Sequence, residues 1–520
     1  MIAAALAAAY LIVQPTGADL PAQLLRTRLF GAEGFGIWND WWYGGQYVTG
    51  YSVLFPPLAW LLGPQLLSAF ATVGTAAAFE ALTHDIYGDD AWLGATWLGA
   101  ATVTELVSGR LTFAVGLCGA AVTALLLERR RPRSAAVLAG LTTLASPVAG
   151  LLAALAGAVA ALAGAVAALS ATKTSRGGVR TRFWSDIASG IAAISVCIGL
   201  LGVGALVFPE GGYQPFAFST LWPLLAAGGF VLLLRPGWVL GCATVLYLAG
   251  CVAAYLVATP LGSNAARLGE LVAGPLVALL LVPRRAWLLL ALSALPLTYL
   301  QVLDAITDLQ HGSRANTAAY YRPLLRFLER QPGIWRVEVP FTRSHWESYW
   351  LAGRVPLARG WERQADIADD GLFYGGALTA ARYEAWLHSL AVRYVAVAGT
   401  APDYSAVAEL RLIRAGLPYL HVVARPAHWT VYEIAHPTAI ASGAGRLVSM
   451  GPDSLTVAAA HPGLVRLRVR WSPYWQLSGI RGCVMPDGAF TQMRLRSSGD
   501  ARLEIGFAVS RINSRQRRCN

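Results

Sequence analysis

Over the first 303 residues, long apolar stretches alternate with short polar segments; from Asp304 onward the two kinds of position intermix. Eleven apolar stretches read as membrane helices: 1–14, 54–82, 91–107, 111–127, 134–146, 148–171, 186–208, 219–234, 238–258, 267–283 and 286–303. A hydrocarbon core takes about 20 helical residues to cross. The block 134–171, 38 residues long, is too long for one crossing and suits a tight hairpin at Ser146-Pro147. The first span is short. It lacks the basic n-region of a signal peptide at Met1-Ile2-Ala3 and is expected to be retained.

Beyond 303 the periods are those of a water-exposed domain. Residues 317–331 have an amphipathic helical pattern, and Trp335–Phe341 alternates as a strand does. Helices are expected at 377–390 and 403–415, with strands at 392–398, 419–424 and 429–434. After Thr438 come short strands at 446–449, 454–459, 464–471, 490–496 and 501–508, a pattern that suits a β-sandwich. The expected architecture is a mainly α membrane bundle with a C-terminal α/β plus β-sandwich domain. Its divisions are 1–303, 304–437 and 438–520.

Composition agrees. Of 520 residues 56% are hydrophobic and 13% charged, against about 25% charged in a soluble domain. The net charge of +12 is no sign of nucleic-acid binding, because much of the basic excess lies in loops between spans. Lys173 is the one lysine. Basic loops occur at Glu128–Arg133, from Lys173 to Arg182, at Arg235 and at Arg284-Arg285. Short basic loops stay in the cytoplasm, and the eleven spans put all four on one side. The segments 15–53, 108–110, 209–218, 259–266, the turn near 147 and the C-terminal domain then fall outside. The acidic loop His84–Asp90 falls inside, which the rule tolerates. Cys118, Cys197, Cys242 and Cys251 sit in apolar helices as small packing residues. An oxidising exterior leaves a Cys483–Cys519 disulfide open.

The most unusual polar segment is the first outer loop. Asp19 and Gln23 follow the first helix, and Asp40 lies in the aromatic run Trp38, Trp41, Trp42 and Tyr43. A carboxylate at a membrane boundary can act as general base on a hydroxyl; an interfacial aromatic belt is the plainer reading. Glu105 near the outer end of a span, with Arg110, forms a second candidate, either functional or a pair that satisfies itself. The third is Gly262-Ser263-Asn264 with Arg267, where Ser263 or Asn264 can cap the following helix. The Arg-, Trp- and acid-rich stretch 342–364 reads either as a surface for an anionic glycan or lipid headgroup, or as an interdomain ion-pair network over the membrane part. Ser344, His345 and Glu347 stand too close along one strand to be read as a triad. No GxxxxGK[ST], HExxH or paired CxxC occurs. The twin heptads AGAVAAL at 156–162 and 163–169 suit close helix packing.

At the first loop the chain resembles the GT-C superfamily of membrane glycosyltransferases, which carry a carboxylate just past the first helix. More narrowly it resembles the YfhO-type bacterial membrane proteins, through Gly-Ser-Asn…Arg-Leu at 262–268, AYYRPLLRFLERQPGIWRVEV at 319–339 and SPYWQLSG at 472–479. The resemblance implies an inverting transfer of sugar from a polyprenyl-phosphate donor to an envelope glycan or glycolipid acceptor on the outer face of a bacterial membrane. Asp19 would be the base and Asp40 a second acid. Arg110 and Arg267 would hold the donor phosphate, and Glu105, Gln23, Trp38, Trp41, Trp42, Tyr43 and Asn264 would line the cavity. No cofactor is implied with certainty, and a divalent metal stays open. The family's closely spaced acid pair is absent, since Asp19, Glu33 and Asp40 are spread out. The rival classes are a non-catalytic glycan assembly factor and a lipid or polysaccharide transporter. The latter usually shows internal repeats, and none is seen here beyond the heptads.

Overall fold

A computed structural model describes residues 1–170, 177–310, 312–512 and 519. The chain divides into two units that are discontinuous in sequence. Unit 1 is Met1–Leu20, Tyr51–Gly204 and Tyr213–Gln310. Unit 2 is Pro21–Gly50, Ala205–Gly212 and His311–Asn520. The single boundary expected at 303/304 does not describe this partition.

Unit 1 is helical. Among the described residues, seven helical segments are long and apolar enough to cross a membrane by length and composition: Pro64–Val107, Leu111–Glu128, Pro147–Leu169, Phe183–Val207, Trp238–Leu256, Gly262–Leu281 and Trp287–Gln310. Ile2–Val13 and Phe218–Leu233 are shorter apolar helices. The chain is a membrane protein. Helix Trp287–Gln310 shows why: Leu288, Leu292, Leu295 and Tyr299 form an exposed apolar stripe, while Leu290, Ser293, Leu297 and Gln301 are buried on the other side. An exposed apolar stripe of this kind has lipid as its natural solvent.

The helix limits meet expectation at one break and depart from it elsewhere. The span expected at 54–82 is two helices, Phe55–Leu62 and Pro64–Tyr87, parted at Gly63 (φ +84°), with Pro64 opening the second. The block 134–171 breaks where its proline predicts, giving Pro132–Ala145 and Pro147–Ser170 with Ser146 extended. The last helix runs to Gln310. The repeated heptads pack as expected: a Cβ added to Gly157 would meet the Gly190 carbonyl oxygen at 2.8 Å, and one on Gly164 the Phe183 carbonyl oxygen at 2.9 Å.

The loops gather in two sets. Arg129 pairs with Asp85 at 2.9 Å and Arg130 with Asp186 at 3.3 Å. Arg284 donates to the Leu234 and Arg235 carbonyls. In the other set, Val53 and Leu54 donate to the Leu144 carbonyl, Gln214 donates to Ser263, and residues near 19, 108 and 267 meet as described below. The expected loop around Lys173 lies outside the described residues.

Unit 2 holds an α/β layer with sheet order Arg336–Glu338, Val392–Ala398, Trp429–Ile434, Leu420–Ala424. The first two strands are parallel and the rest antiparallel. Two further four-stranded sheets face each other across a common apolar core that includes Val457, Val465, Leu467, Trp475, Met493 and Leu503. One has the order Gly482–Asp487, Phe490–Leu495, Gly463–Arg470, Ala441–Gly443; the other Trp475–Ser478, Gly499–Ile505, Ser454–Ala459, Gly445–Met450. Cys483 and Cys519 are joined by a disulfide.

Candidate functional site

The site in unit 1 begins with two glycines. Gly17 and Gly109 let the segment after the first helix lie against the turn 108–110. A Cβ on Gly17 would meet the Ser108 carbonyl carbon at 2.4 Å. One on Gly109, whose φ is +76°, would meet Leu20 N at 2.7 Å. Asp19 N donates to the Ser108 carbonyl at 3.4 Å. Arg110 then stands as the residue preceding helix Leu111–Glu128, and Arg267 in the first turn of Ala266–Leu281.

Both guanidiniums flank one oxygen. Asp19 Oδ2 lies 3.6 Å from Arg110 Nε and 3.7 Å from Arg267 Nη2. These are ion-pair separations beyond good hydrogen-bond length. Arg110 Nη2 donates to Asp304 Oδ2 at 2.6 Å, and its Nη1 lies 3.9 Å from Glu105 Oε1. Arg267 is set over the Phe113 ring at 5.1 Å. Glu105 is buried, and its Oε2 has no hydrogen-bond partner among the described residues. The pair Glu105–Arg110 therefore does not satisfy itself. The Asp19 side chain keeps 31% of its surface.

So the structure brings together Asp19, Glu105, Arg110 and Arg267, four of the expected residues, all in unit 1. Three acids were not expected. Asp304 touches Arg110, while Glu270 and Asp308 lie within electrostatic reach of Arg110 and Asp304. The sequence signal existed: Asp304 and Asp308 follow Gln301 at helical spacing, and Glu270 stands one turn beyond Arg267. Asn264 is half-buried in the turn Gly262–Ala265 before Arg267. Neither Ser263 nor Asn264 caps the helix; Ser263 accepts from Gln214 instead.

Among the described residues no group of three or more His, Cys, Asp or Glu is arranged to hold a metal ion. The donor set explains why: Asp19, Glu105 and Asp304 face guanidiniums, which already supply positive charge.

The aromatic segment goes elsewhere. Asp40, Gln23, Trp38, Trp41, Trp42 and Tyr43 all belong to unit 2, and all but the half-buried Trp41 are buried. Trp42 donates to the Ser348 carbonyl and Tyr43 to that of Gly360, while Arg470 N donates to the Gly44 carbonyl. The rings are therefore structural members of unit 2, not an interfacial belt. Gly45 (φ +119°) is needed at the tight return, where a Cβ would meet Trp38 at 2.4 Å. Asp40 accepts from Trp38 Nε1 at 2.8 Å and has no exposed surface. A carboxyl so enclosed cannot reach an acceptor hydroxyl, which corrects its expected role.

Burial pushes the Asp40 carboxyl up to about 8, against the opposing pull of the Trp38 hydrogen bond and Arg336. The folded state then holds its proton more tightly than the unfolded chain. This contribution is complete below the ordinary carboxylate range near 4 and is lost as pH rises toward 8. Asp40→Asn should therefore fold, and should flatten the loss of unit 2 stability between pH 5 and pH 8. Thermal unfolding across that range checks it; a variant as pH-sensitive as wild type would contradict it.

The stretch 342–364 is an ion-pair network inside unit 2. Arg359 is buried with a bidentate bond to Asp366 (2.9 and 2.7 Å), with Glu409 at 3.5 Å and Glu338 at 3.8 Å. The Phe341 and Phe373 rings lie on it at 3.9 and 4.0 Å. His345 lies 3.5 Å from Asp403 and 3.8 Å from Glu347, stacked on Trp361. Burial lowers the pKa of His345, with Asp403 opposing.

No family model matches the chain, and no curated protein matches it. Among solved structures, ArnT from Cupriavidus metallidurans in the apo state is similar over 82% of this chain and 96% of that one, at 15% identity and a TM-score of 0.40.

Proposed function

We propose that this chain is a membrane glycosyltransferase that moves a sugar from a polyprenyl-phosphate donor to an envelope glycan or glycolipid acceptor on the outer face of a bacterial membrane. The observation that carries the reading is one oxygen of the partly exposed Asp19 carboxylate, flanked at 3.6 and 3.7 Å by two guanidiniums from the starts of separate helices. Arg110 and Arg267 have the fork geometry that holds a phosphate through paired N–H bonds. Asp304 and Glu105 orient Arg110. Asp19 removes the proton of the acceptor hydroxyl, whose oxygen bonds to the anomeric carbon with inversion. The bond from that carbon to the phosphate oxygen breaks, and polyprenyl phosphate leaves. The charges on the loops support the orientation. Arg129, Arg130, Arg235 and Arg284 lie in one set of loops, which the positive-inside rule assigns to the cytoplasm. Asp19, Arg110 and Arg267 belong to the other set, which is then outside.

Polyprenyl monophosphate binding tests the two arginines. A hydrogen bond to a charged group contributes about 1.5–3 kcal/mol, so Arg110→Gln or Arg267→Gln should each weaken binding by about tenfold or more. Native mass spectrometry of the purified variants against wild type reads this. Undiminished lipid-phosphate binding in both variants would remove them from the donor site.

A further inference from the structure

Unit 2 carries a second polar site that the proposed reaction does not use. Side chains on a strand alternate between faces, and in Gly463–Arg470 the residues Val465, Leu467 and Val469 point into the sandwich core. Arg466 and Arg468 therefore stand on the outer face. The neighbouring strand Phe490–Leu495 adds Phe490, the end of helix Ala380–Ser389 adds His388 and Ser389, and the connection between the layers adds Thr438. These six line a groove of about 270 Å³ where the α/β layer meets the sandwich.

The groove is short of negative charge. Its nearby carboxylate, Asp487, pairs with Arg466 at 2.8 Å. Arg468 directs one nitrogen to the Ala439 carbonyl at 2.8 Å and to Ser442 at 3.4 Å, and no ion pair to it exists among the described residues. Burial and the neighbouring Arg466 both work against its charge. His388 Nδ1 is enclosed and has no hydrogen-bond partner among the described residues. Thr438 and Ser389 donate to the carbonyls of His388 and Trp386, which leaves their oxygens able to accept from hydroxyls.

We propose that this groove binds an anionic pyranose unit of a glycan. Arg466 and Arg468 take the carboxylate or phosphate. The partly buried Phe490 ring offers an apolar face to the sugar ring, and Thr438 and Ser389 accept from its hydroxyls. Sites of this kind form at the junction of two layers.

The test is isothermal titration of the full-length protein in nanodiscs of zwitterionic lipid, with three probes: trigalacturonic acid, glucose 6-phosphate and neutral maltotriose. At least one acidic probe should bind, maltotriose should not, and the stronger acidic probe names the source of the anion. Arg468→Ala and Phe490→Ala should each weaken binding by about tenfold, while Arg446→Ala, on the other sheet, should not. If Arg468→Ala unfolds, because its side chain holds the Ala439 carbonyl, Arg466→Gln carries the test. Equal binding of maltotriose, unchanged affinity in folded variants, or no heat from either acid at millimolar concentration would overturn the proposal. So would an Arg468→Ala effect seen only on anionic-lipid vesicles. The titration reads binding without turnover, so it stands or falls separately from the transferase reading.

Discussion

Asp19→Asn should lower the transfer rate by about 10²–10⁴-fold, the usual contribution of a positioned general base. The side chain keeps its size and stays between Arg110 and Arg267, but it can no longer take a proton. The fold should survive, because the carboxylate is partly exposed and its ion pairs exceed 3.5 Å. Such pairs contribute about 0–1 kcal/mol. Removing the negative charge between two guanidiniums should leave donor binding intact or tighter. The signature is therefore a fall in kcat with KM for the donor unchanged or lower. A purely structural role would lower the melting temperature and raise KM instead.

Arg359→Ala should have the largest effect on stability. It leaves Asp366, Glu409 and Glu338 enclosed without their cation. Breaking a buried pair from one side costs about 3–5 kcal/mol, a large part of the 5–15 kcal/mol that holds a typical domain. Arg359→Lys should rescue little, since one ammonium cannot reproduce the bidentate bond to Asp366. Burial already pushes Glu409 up to about 7, against the pull of Arg359, and losing the guanidinium drives it further. Limited proteolysis of unit 2 with and without the substitution reads the effect. Equal resistance of wild type and variant would show that the network carries no stability.

Much of this was legible in the sequence because the chain writes it locally. Apolar length marks the spans, Pro147 marks a break, and alternation marks the strands at Ser454–Ala459 and Gly463–Arg470; the break at Gly63-Pro64 was missed because apolar residues run on through it. Asp19, Arg110 and Arg267 stood out as charges beside span ends, where each charge needs a reason. Asp304 and Asp308 were hidden by a boundary drawn where charge first rises, although Leu303, Ile306 and Leu309 continue the exposed apolar stripe. The aromatic segment was misjudged because a Trp reads alike against lipid and against protein. Only folding shows that Trp42 is covered by unit 2. The strand Gly482–Asp487 was missed because Pro486 breaks its pattern, and Ala441–Gly443 because three small residues carry no period.

The proposed cleavage of a polyprenyl-phosphate sugar at the Asp19 site leaves polyprenyl phosphate as a product. The most direct measurement is release of polyprenyl phosphate by the purified full-length protein, supplied with polyprenyl-phosphate sugars and envelope glycolipid acceptor, with Asp19→Asn assayed beside it. The wild type should release it, and the variant should do so at a rate at least about 100-fold lower. Equal release by the two proteins would contradict the proposal.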